Sequence, residues 1–83
     1  MTNDIIEKFI ESSSRRDALV YIHFKDRNRV SGRFVQYPDY AELKSKNFWR
    51  IVNSSHLDEW ESTKDINLTR LFHGMSFTKL TDQ

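Results

Sequence analysis

The side chains that could carry out chemistry are few, and they do not form a recognisable reactive group. The three histidines, His23, His56 and His73, are spread over the chain, and there is no cysteine. A zinc site needs several nitrogen or sulfur ligands at defined spacings, such as two histidines one turn apart on a helix. We therefore expect no metal site.

The remaining polar residues do not indicate catalysis either. The serines at 12–14 and 54–55 lie where a helix end and a polar loop are predicted, and neither place is a strained turn beside a base. Gly32 and Gly74 are the only glycines, so the chain has no glycine-rich phosphate-binding loop. We predict that the protein is not an enzyme and needs no cofactor.

The charges are unevenly distributed, although the formal net charge is only +1. Residues 25–33 contain Lys25, Arg27, Arg29 and Arg33 against one carboxylate, whereas residues 57–65 contain four carboxylates against one lysine. A nearly neutral chain is not expected to bind nucleic acid over its whole surface. Three interpretations stay open: two solvated turns, complementary patches on neighbouring subunits, or a basic edge that faces phosphate.

The length and hydropathy limit the class of protein. Eighty-three residues suit one domain with a thin core, and no apolar run approaches the roughly 18–20 residues that span a bilayer. The first residues are too charged for a signal peptide. We expect one domain over residues 1–83 in a soluble, cytoplasmic protein that does not enter a membrane.

The elements that must position these side chains begin with a helix over residues 3–14. An apolar face is predicted at helical spacing from Ile5, Ile6, Phe9 and Ile10, and Asp4 with Glu7 resembles an N-cap and capping-box pair. The apolar face is only two turns long. We expect the helix to cover an open end of a β-barrel, rather than to bind a membrane or a partner.

Alternating apolar residues then predict five short strands. Val20, Ile22 and Phe24 mark the first strand, a polar turn follows, and a return strand with Gly32 ends near Pro38. The later strands are predicted over residues 48–52, 66–72 and 75–80. Residues 39–47 fit a short helical turn or an irregular excursion, and residues 53–65 a long loop or an extended strand pair.

Because no crossover helix separates these strands, the sheet must be largely antiparallel. The sequence thus predicts a mainly β fold, with an N-terminal helix followed by a five-stranded, strongly bent antiparallel barrel over residues 18–80.

Two segments of this pattern are similar to a known family. The first combines the triplet Val20, Ile22 and Phe24 with the step Val30-Ser31-Gly32, and the second is Phe72-His73-Gly74-Met75-Ser76-Phe77. In this order, and behind a helix, they resemble the Sm-like (Sm/LSm and Hfq-type) proteins, whose barrel is of the SH3 type. The resemblance implies a homo-oligomeric ring that binds single-stranded RNA through loops lining its pore.

Carried onto this chain, the resemblance implies the following nucleic-acid-binding residues: Tyr37, Asp39, Tyr40, His73, Gly74 and Met75. Arg27, Arg29 and Arg33 are expected to contact phosphates. The chain departs from the family pattern at several places. Arg27 replaces the turn glycine, Glu42 falls near the usual asparagine, and His73 replaces the arginine. These departures concern RNA binding more than the fold.

Exposed edges are also expected, because strands four and five of a small open barrel have no partner on one side. Sm-like rings join strand four of one subunit to strand five of the next. The residues predicted for this oligomer interface are Leu68, Leu71, Phe72 and Phe77.

Two alternatives to an RNA-binding ring follow from the same residues. The first is a protein-assembly module that keeps the barrel and the ring but has lost the RNA pocket. The second is an SH3-like adaptor in which Trp49, Trp60 and Tyr40 form an aromatic groove for a peptide.

Overall fold

The computed structural model describes residues 1–12 and 18–82. Helix α1 (Asn3–Ile10) is followed by the strands β1 (Val20–Phe24), β2 (Val30–Phe34), β3 (Phe48–Asn53), β4 (Thr69–His73) and β5 (Phe77–Asp82). All neighbouring strands are antiparallel, and their order in the sheet is β4-β3-β2-β1-β5. The predicted mainly β fold with an N-terminal helix and five antiparallel strands is confirmed.

Hydrogen bonds between strands do not close this sheet into a cylinder, but side chains bridge strands that are not neighbours. The ring centroids of Phe24 on β1 and Phe72 on β4 are 5.4 Å apart, although two strands lie between β1 and β4 in the sheet. Phe34 on β2 meets Phe77 on β5 at 6.4 Å across β1. The sheet is therefore curled around one apolar interior.

Helix α1 supplies part of that interior, because Ile6 and Ile10 lie in the same buried cluster as Val20, Trp49 and Leu80. The predicted span of residues 3–14 was too long: the helix ends at Ile10, and the N–H of Glu11 donates to the carbonyl of Glu7. Residues 13 and 14 lie outside the described part. The predicted cap was also wrong, since Thr2 is the N-cap residue and Asp4 lies in the first turn.

Two short helices fill the connections that the sequence left open. Helix α2 (Tyr40–Ser45) lies between β2 and β3, as one of the two interpretations of residues 39–47 proposed. Helix α3 (Leu57–Thr63) follows a 3₁₀ turn at Ser54–His56 and shows that the loop or strand pair predicted for residues 53–65 was wrong. No helix in the described ranges is both long and apolar enough to cross a membrane.

The last two strands start later than predicted, because each follows a 3₁₀ turn held by a side-chain cap. The Asp65 side chain accepts from the N–H of Asn67 in the turn Ile66–Leu68, so β4 starts at Thr69. In the turn Gly74–Ser76, the His73 ring accepts from the N–H of Met75, and β5 starts at Phe77.

Gly32 is required by the close approach of β2 to β3. A β-carbon at this position would lie 2.6 Å from the carbonyl oxygen of Val52 and 2.9 Å from Cγ2 of Ile51. A backbone carbonyl of a central strand cannot move aside without disturbing the ladder, in which Gly32 is paired with Asn53.

We therefore expect Gly32→Ala to lower the free energy of unfolding by about 1–3 kcal/mol, as overpacking of a core does. Chemical denaturation followed by circular dichroism measures this loss. The control is Gln36→Ala, at an exposed position beyond the end of β2, which should leave the midpoint nearly unchanged. Equal midpoints for the wild type and Gly32→Ala would contradict the close approach.

Candidate functional site

Tyr37 joins the end of the β2 segment to helix α3. Its hydroxyl accepts from Nε1 of Trp60 at 2.8 Å and donates to the carbonyl of Lys64 at 3.2 Å. The ammonium of Lys64 lies 4.1 Å from the centre of the Trp60 ring, and the guanidinium of Arg50 lies 5.4 Å from the Tyr37 ring. Tyr37 is thus used to hold α3 on the sheet.

Asp39 is engaged in the same region. Its carboxylate accepts from Nη2 of Arg50 at 2.7 Å, and Nη1 of Arg50 donates to Thr69 at 3.2 Å. Arg33 pairs with Glu61 of α3 at 2.8 Å. We call the group of Tyr37, Asp39, Arg33, Arg50, Trp60, Glu61 and Lys64 the α3 seam. Within it, Nε of Arg33 and Nε of Arg50 are buried, and neither has a hydrogen-bond partner among the described residues.

Tyr40 belongs to a different contact, between α2 and α1. Its hydroxyl donates to Glu11 at 3.0 Å, its ring meets Trp49 with centroids 6.1 Å apart, and the ammonium of Lys44 lies 5.3 Å from its ring centre. Lys44 also donates to Glu7 at 2.6 Å. This hydrogen bond holds the pKa of Glu7 below its ordinary value and raises the pKa of Lys44.

The turn between β4 and β5 presents the remaining predicted RNA-binding residues. The rings of His73 and the half-exposed Phe48 meet edge to face with centroids 4.9 Å apart, and Met75 beside them is 52% exposed. Gly74 is buried, and its N–H donates to the carbonyl of Asn47 at 2.8 Å. A β-carbon at this position would collide with Asn47 and Ile6. We call Phe48, His73 and Met75 the β4–β5 platform.

The predicted RNA-binding residues thus fall into three places: Tyr37 and Asp39 in the α3 seam, Tyr40 between α1 and α2, and His73, Gly74 and Met75 at the β4–β5 turn. The first and third are near each other along the β3–β4 ladder, where Phe48 is paired with His73 and Arg50 with Leu71. The hydroxyls of both tyrosines are engaged within the chain, whereas His73 and Met75 are exposed.

The residues predicted for an oligomer interface also differ in exposure. Leu71 on the edge strand β4 is 48% exposed, and Leu68 and Phe72 are half-buried. The side chain of Phe77 is 1% exposed and packs in the core. Leu71 is therefore the member of this set that presents the largest apolar surface at an edge.

The three arginines predicted to contact phosphate have three different surroundings. Arg33 lies in the α3 seam, and the guanidinium of Arg29 covers the ring of Tyr21 at 4.0 Å. The guanidinium of Arg27 lies 5.2 Å from the ring centre of Phe24 and 5.7 Å from that of Phe72. Arg27 lines two pockets in the part of the chain that the structure describes.

Two adjoining pockets share Arg27 and Phe72. The first, which we call the arginine pocket, has a volume of about 110 Å³ and is lined by Arg27, Val30, Ile51, Asn53, Ser55, His56, Arg70 and Phe72. The second, which we call the phenylalanine pocket, has a volume of about 210 Å³ and is lined by Phe24, Lys25, Asp26, Arg27, Phe72 and Ser76.

The sequence did not indicate that Asn53, His56 and Arg70 belong to one site. They come from the end of β3, the 3₁₀ turn before α3, and β4, and only the curl of the sheet brings them beside the β1–β2 turn. The one indication of the arginine pocket in the sequence was the group of basic residues at 25–33. This group did not distinguish Arg27 from its neighbours.

Within residues 1–12 and 18–82, no cluster of three or more histidine or acidic side chains is placed to hold a metal ion. Comparisons with protein families, curated proteins and solved structures find no match to this chain.

The α3 seam leads to a prediction for Tyr37. We expect Tyr37→Phe to lower the free energy of unfolding by about 1 kcal/mol, because it removes the acceptor for the Trp60 indole N–H and the donor to Lys64. Thermal and urea denaturation measure the change.

Tyr21→Phe is the matched control, since the Tyr21 hydroxyl has no hydrogen bond to any residue that the structure describes and its ring would keep the contact with Arg29. Equal stability losses for the two variants would show that the seam does not use the Tyr37 hydroxyl.

Proposed function

We propose that the protein is a cytoplasmic, non-enzymatic, Sm-like assembly module that forms a homo-oligomeric ring, with β4 of one copy paired to β5 of the next. The observation that carries the proposal is the strand order, which makes β4 and β5 the two edges of one open sheet. Edge strands present unpaired N–H and C=O groups along one side, and a second copy of the chain can pair with them.

The geometry of such a contact favours a closed ring. A contact between two different edges is head-to-tail, and head-to-tail contacts form rings when the rotation between copies closes. Because the sheet is strongly curled, its two edge strands face different directions. Each copy added at an edge is therefore rotated relative to the copy before it. The Sm-like resemblance supports the same pairing, since strands four and five join the subunits in that family.

The exposed apolar surface of β4 agrees with this pairing. Leu71 leaves 48% of its surface in water in the single chain, next to the exposed Arg70 and His73. Pairing with a strand of another copy would bury the Leu71 side chain and supply hydrogen-bond partners for the backbone of the edge strand. Burial of apolar surface is the main favourable contribution to most protein association.

We expect the wild-type protein at micromolar concentration to have a mass several times that of the 10.0 kDa chain, measured by light scattering after size exclusion. Leu71→Glu should reduce this mass, because it places a charge in the paired edge. Ile5→Glu is the matched control, since Ile5 is 54% exposed but lies on α1. A monomeric wild type would contradict the proposal, and so would a mass that Leu71→Glu leaves unchanged.

RNA binding by the ring is the second candidate function, and the β4–β5 platform favours it. Phe48 and His73 are exposed aromatic residues at the place where the resemblance puts one of the RNA-binding loops. We rank it second because Tyr37, Asp39 and Tyr40 already have partners within the chain. No observation favours the peptide adaptor, since Trp49 is 1% exposed and offers no surface for a groove.

Fluorescence anisotropy with labelled oligo-U and oligo-A tests the RNA candidate. If RNA binds at the platform, the affinity should fall with rising salt as counterions are released, and His73→Gln should weaken binding by about tenfold through lost stacking. His23→Gln is the control, because His23 lies on β1 with its ring hydrogen-bonded to Thr81. Absence of binding in low salt would rule the platform out as an RNA site.

A further inference from the structure

Two guanidinium groups converge on the arginine pocket without a counter-charge. Arg27 approaches the Phe72 ring from the β1–β2 turn, with Cζ 5.7 Å from the ring centre, and Arg70 approaches it from β4 at 5.8 Å. Among the residues that the structure describes, neither arginine pairs with a carboxylate, in contrast to Arg33 and Arg50. Both arginines line the arginine pocket, so an anion in it would have two cations beside it.

The other polar residues of the arginine pocket are suited to donate hydrogen bonds. The Asn53 side-chain oxygen already accepts from the N–H and the hydroxyl of Ser55, each at 2.9 Å, which leaves the amide N–H groups of Asn53 for a ligand. His56 adds a ring nitrogen, and none of the described residues that line the pocket is a carboxylate. Several donors together with arginine are the usual means of holding a phosphate.

The size of the arginine pocket agrees with a phosphate group. Its volume of about 110 Å³ is well above the roughly 10–15 Å³ that a single water needs, so the pocket has room for a compact group of several atoms. Val30 and Ile51 contribute the apolar part of its lining.

The phenylalanine pocket extends the site on the other side of Arg27. The rings of Phe24 and Phe72, with centroids 5.4 Å apart, form its apolar wall, and Lys25, Asp26 and Ser76 form a polar rim. Its volume of about 210 Å³ is nearly twice that of the arginine pocket. An aromatic wall with a polar rim suits a planar heterocycle, because ring contacts bind the faces and edge groups bind the rim.

We propose that the two pockets together bind a mononucleotide, with the phosphate between Arg27 and Arg70 and the base against Phe24 and Phe72. The site is formed within one chain and uses none of the residues of the α3 seam or of the β4–β5 platform. It includes Arg70 and Phe72 of β4, the strand proposed to pair between copies, but it needs no second copy and therefore goes beyond the proposed assembly. A pyrimidine, with its single ring, suits a pocket of about 210 Å³, so UMP is the first probe.

Titration of the ¹⁵N-labelled protein with UMP, uridine and inorganic phosphate, followed by amide chemical shifts, tests the proposal. UMP should bind at least tenfold more tightly than uridine and more tightly than phosphate alone, with shifts at residues of both pockets. Arg27→Gln and Arg70→Gln should each weaken UMP binding by about tenfold, through loss of a charge-assisted hydrogen bond.

The matched control is Arg29→Gln, because Arg29 lies two residues from Arg27 on the same turn but covers Tyr21 outside both pockets. It removes the same charge and should leave UMP binding nearly unchanged. Equal affinities for UMP and uridine, no binding of UMP at millimolar concentration, or equal losses in Arg27→Gln and Arg29→Gln would overturn the proposal. Denaturation of each variant shows whether it is folded.

Two further measurements separate this site from the proposed function and identify the source of the nucleotide. UMP binding should persist in Leu71→Glu, so failure of ring assembly and failure of nucleotide binding are distinguishable. Competition with a short single-stranded oligonucleotide, with and without a terminal phosphate, shows whether the site binds a free nucleotide or the end of a nucleic-acid chain. Displacement only by the phosphorylated oligonucleotide assigns the site to a chain end, and no displacement by either assigns it to a free nucleotide.

Discussion

The packing of phenylalanine rings across the inner face of the sheet is the interaction on which the rest of the structure depends. Phe24, Phe34, Phe72 and Phe77 come from β1, β2, β4 and β5, and they meet although several of these strands are not neighbours in the ladder. Aromatic side chains bury a large apolar area each, and these rings pack together with the buried cluster that includes Ile6, Ile22 and Trp49. The curl that lets the rings meet is therefore a condition for stability.

The same curl produces the two features from which function is inferred. It brings the β1–β2 turn beside β4, so that Arg27 and Arg70 approach one ring from two elements distant in sequence. It also stops short of closure by hydrogen bonds, which leaves β4 and β5 as edges. A flat sheet would have the edges without the pocket, and a closed barrel would lack the edges.

The strands and the first helix could be predicted from the sequence because their apolar faces repeat at a constant period. Val20, Ile22 and Phe24 alternate strictly, and Ile6 and Ile10 lie one turn apart. Helix α3 could not be predicted in this way, since Leu57 and Trp60 are its only large apolar residues and it has no buried residue. Its position depends on long-range contacts of Trp60 with Tyr37 and of Glu61 with Arg33, which leave no periodic signal.

The candidate sites show even more clearly which features cannot be predicted from the sequence. Arg27, Arg29 and Arg33 look equivalent in the sequence, yet one lines a pocket, one covers a tyrosine and one pairs with α3. Tyr37 and Tyr40 are aromatic residues in a polar loop, which suggests stacking on a ligand, but both hydroxyls bind within the chain. The type of residue indicates which interactions are possible, and only the fold decides which of them is already made.

The attachment of α3 has a consequence for the dynamics of the chain. Because this helix buries no residue and is held by a few polar side-chain contacts, we expect it to detach from the sheet at a lower free energy than global unfolding requires. The two tryptophans would report the two events separately. Trp60 lies on α3 and is partly exposed, whereas Trp49 is 1% exposed in the core and bonded to Asn47. Intrinsic fluorescence should therefore change in two steps, first from the local release of α3 and then from the loss of the core.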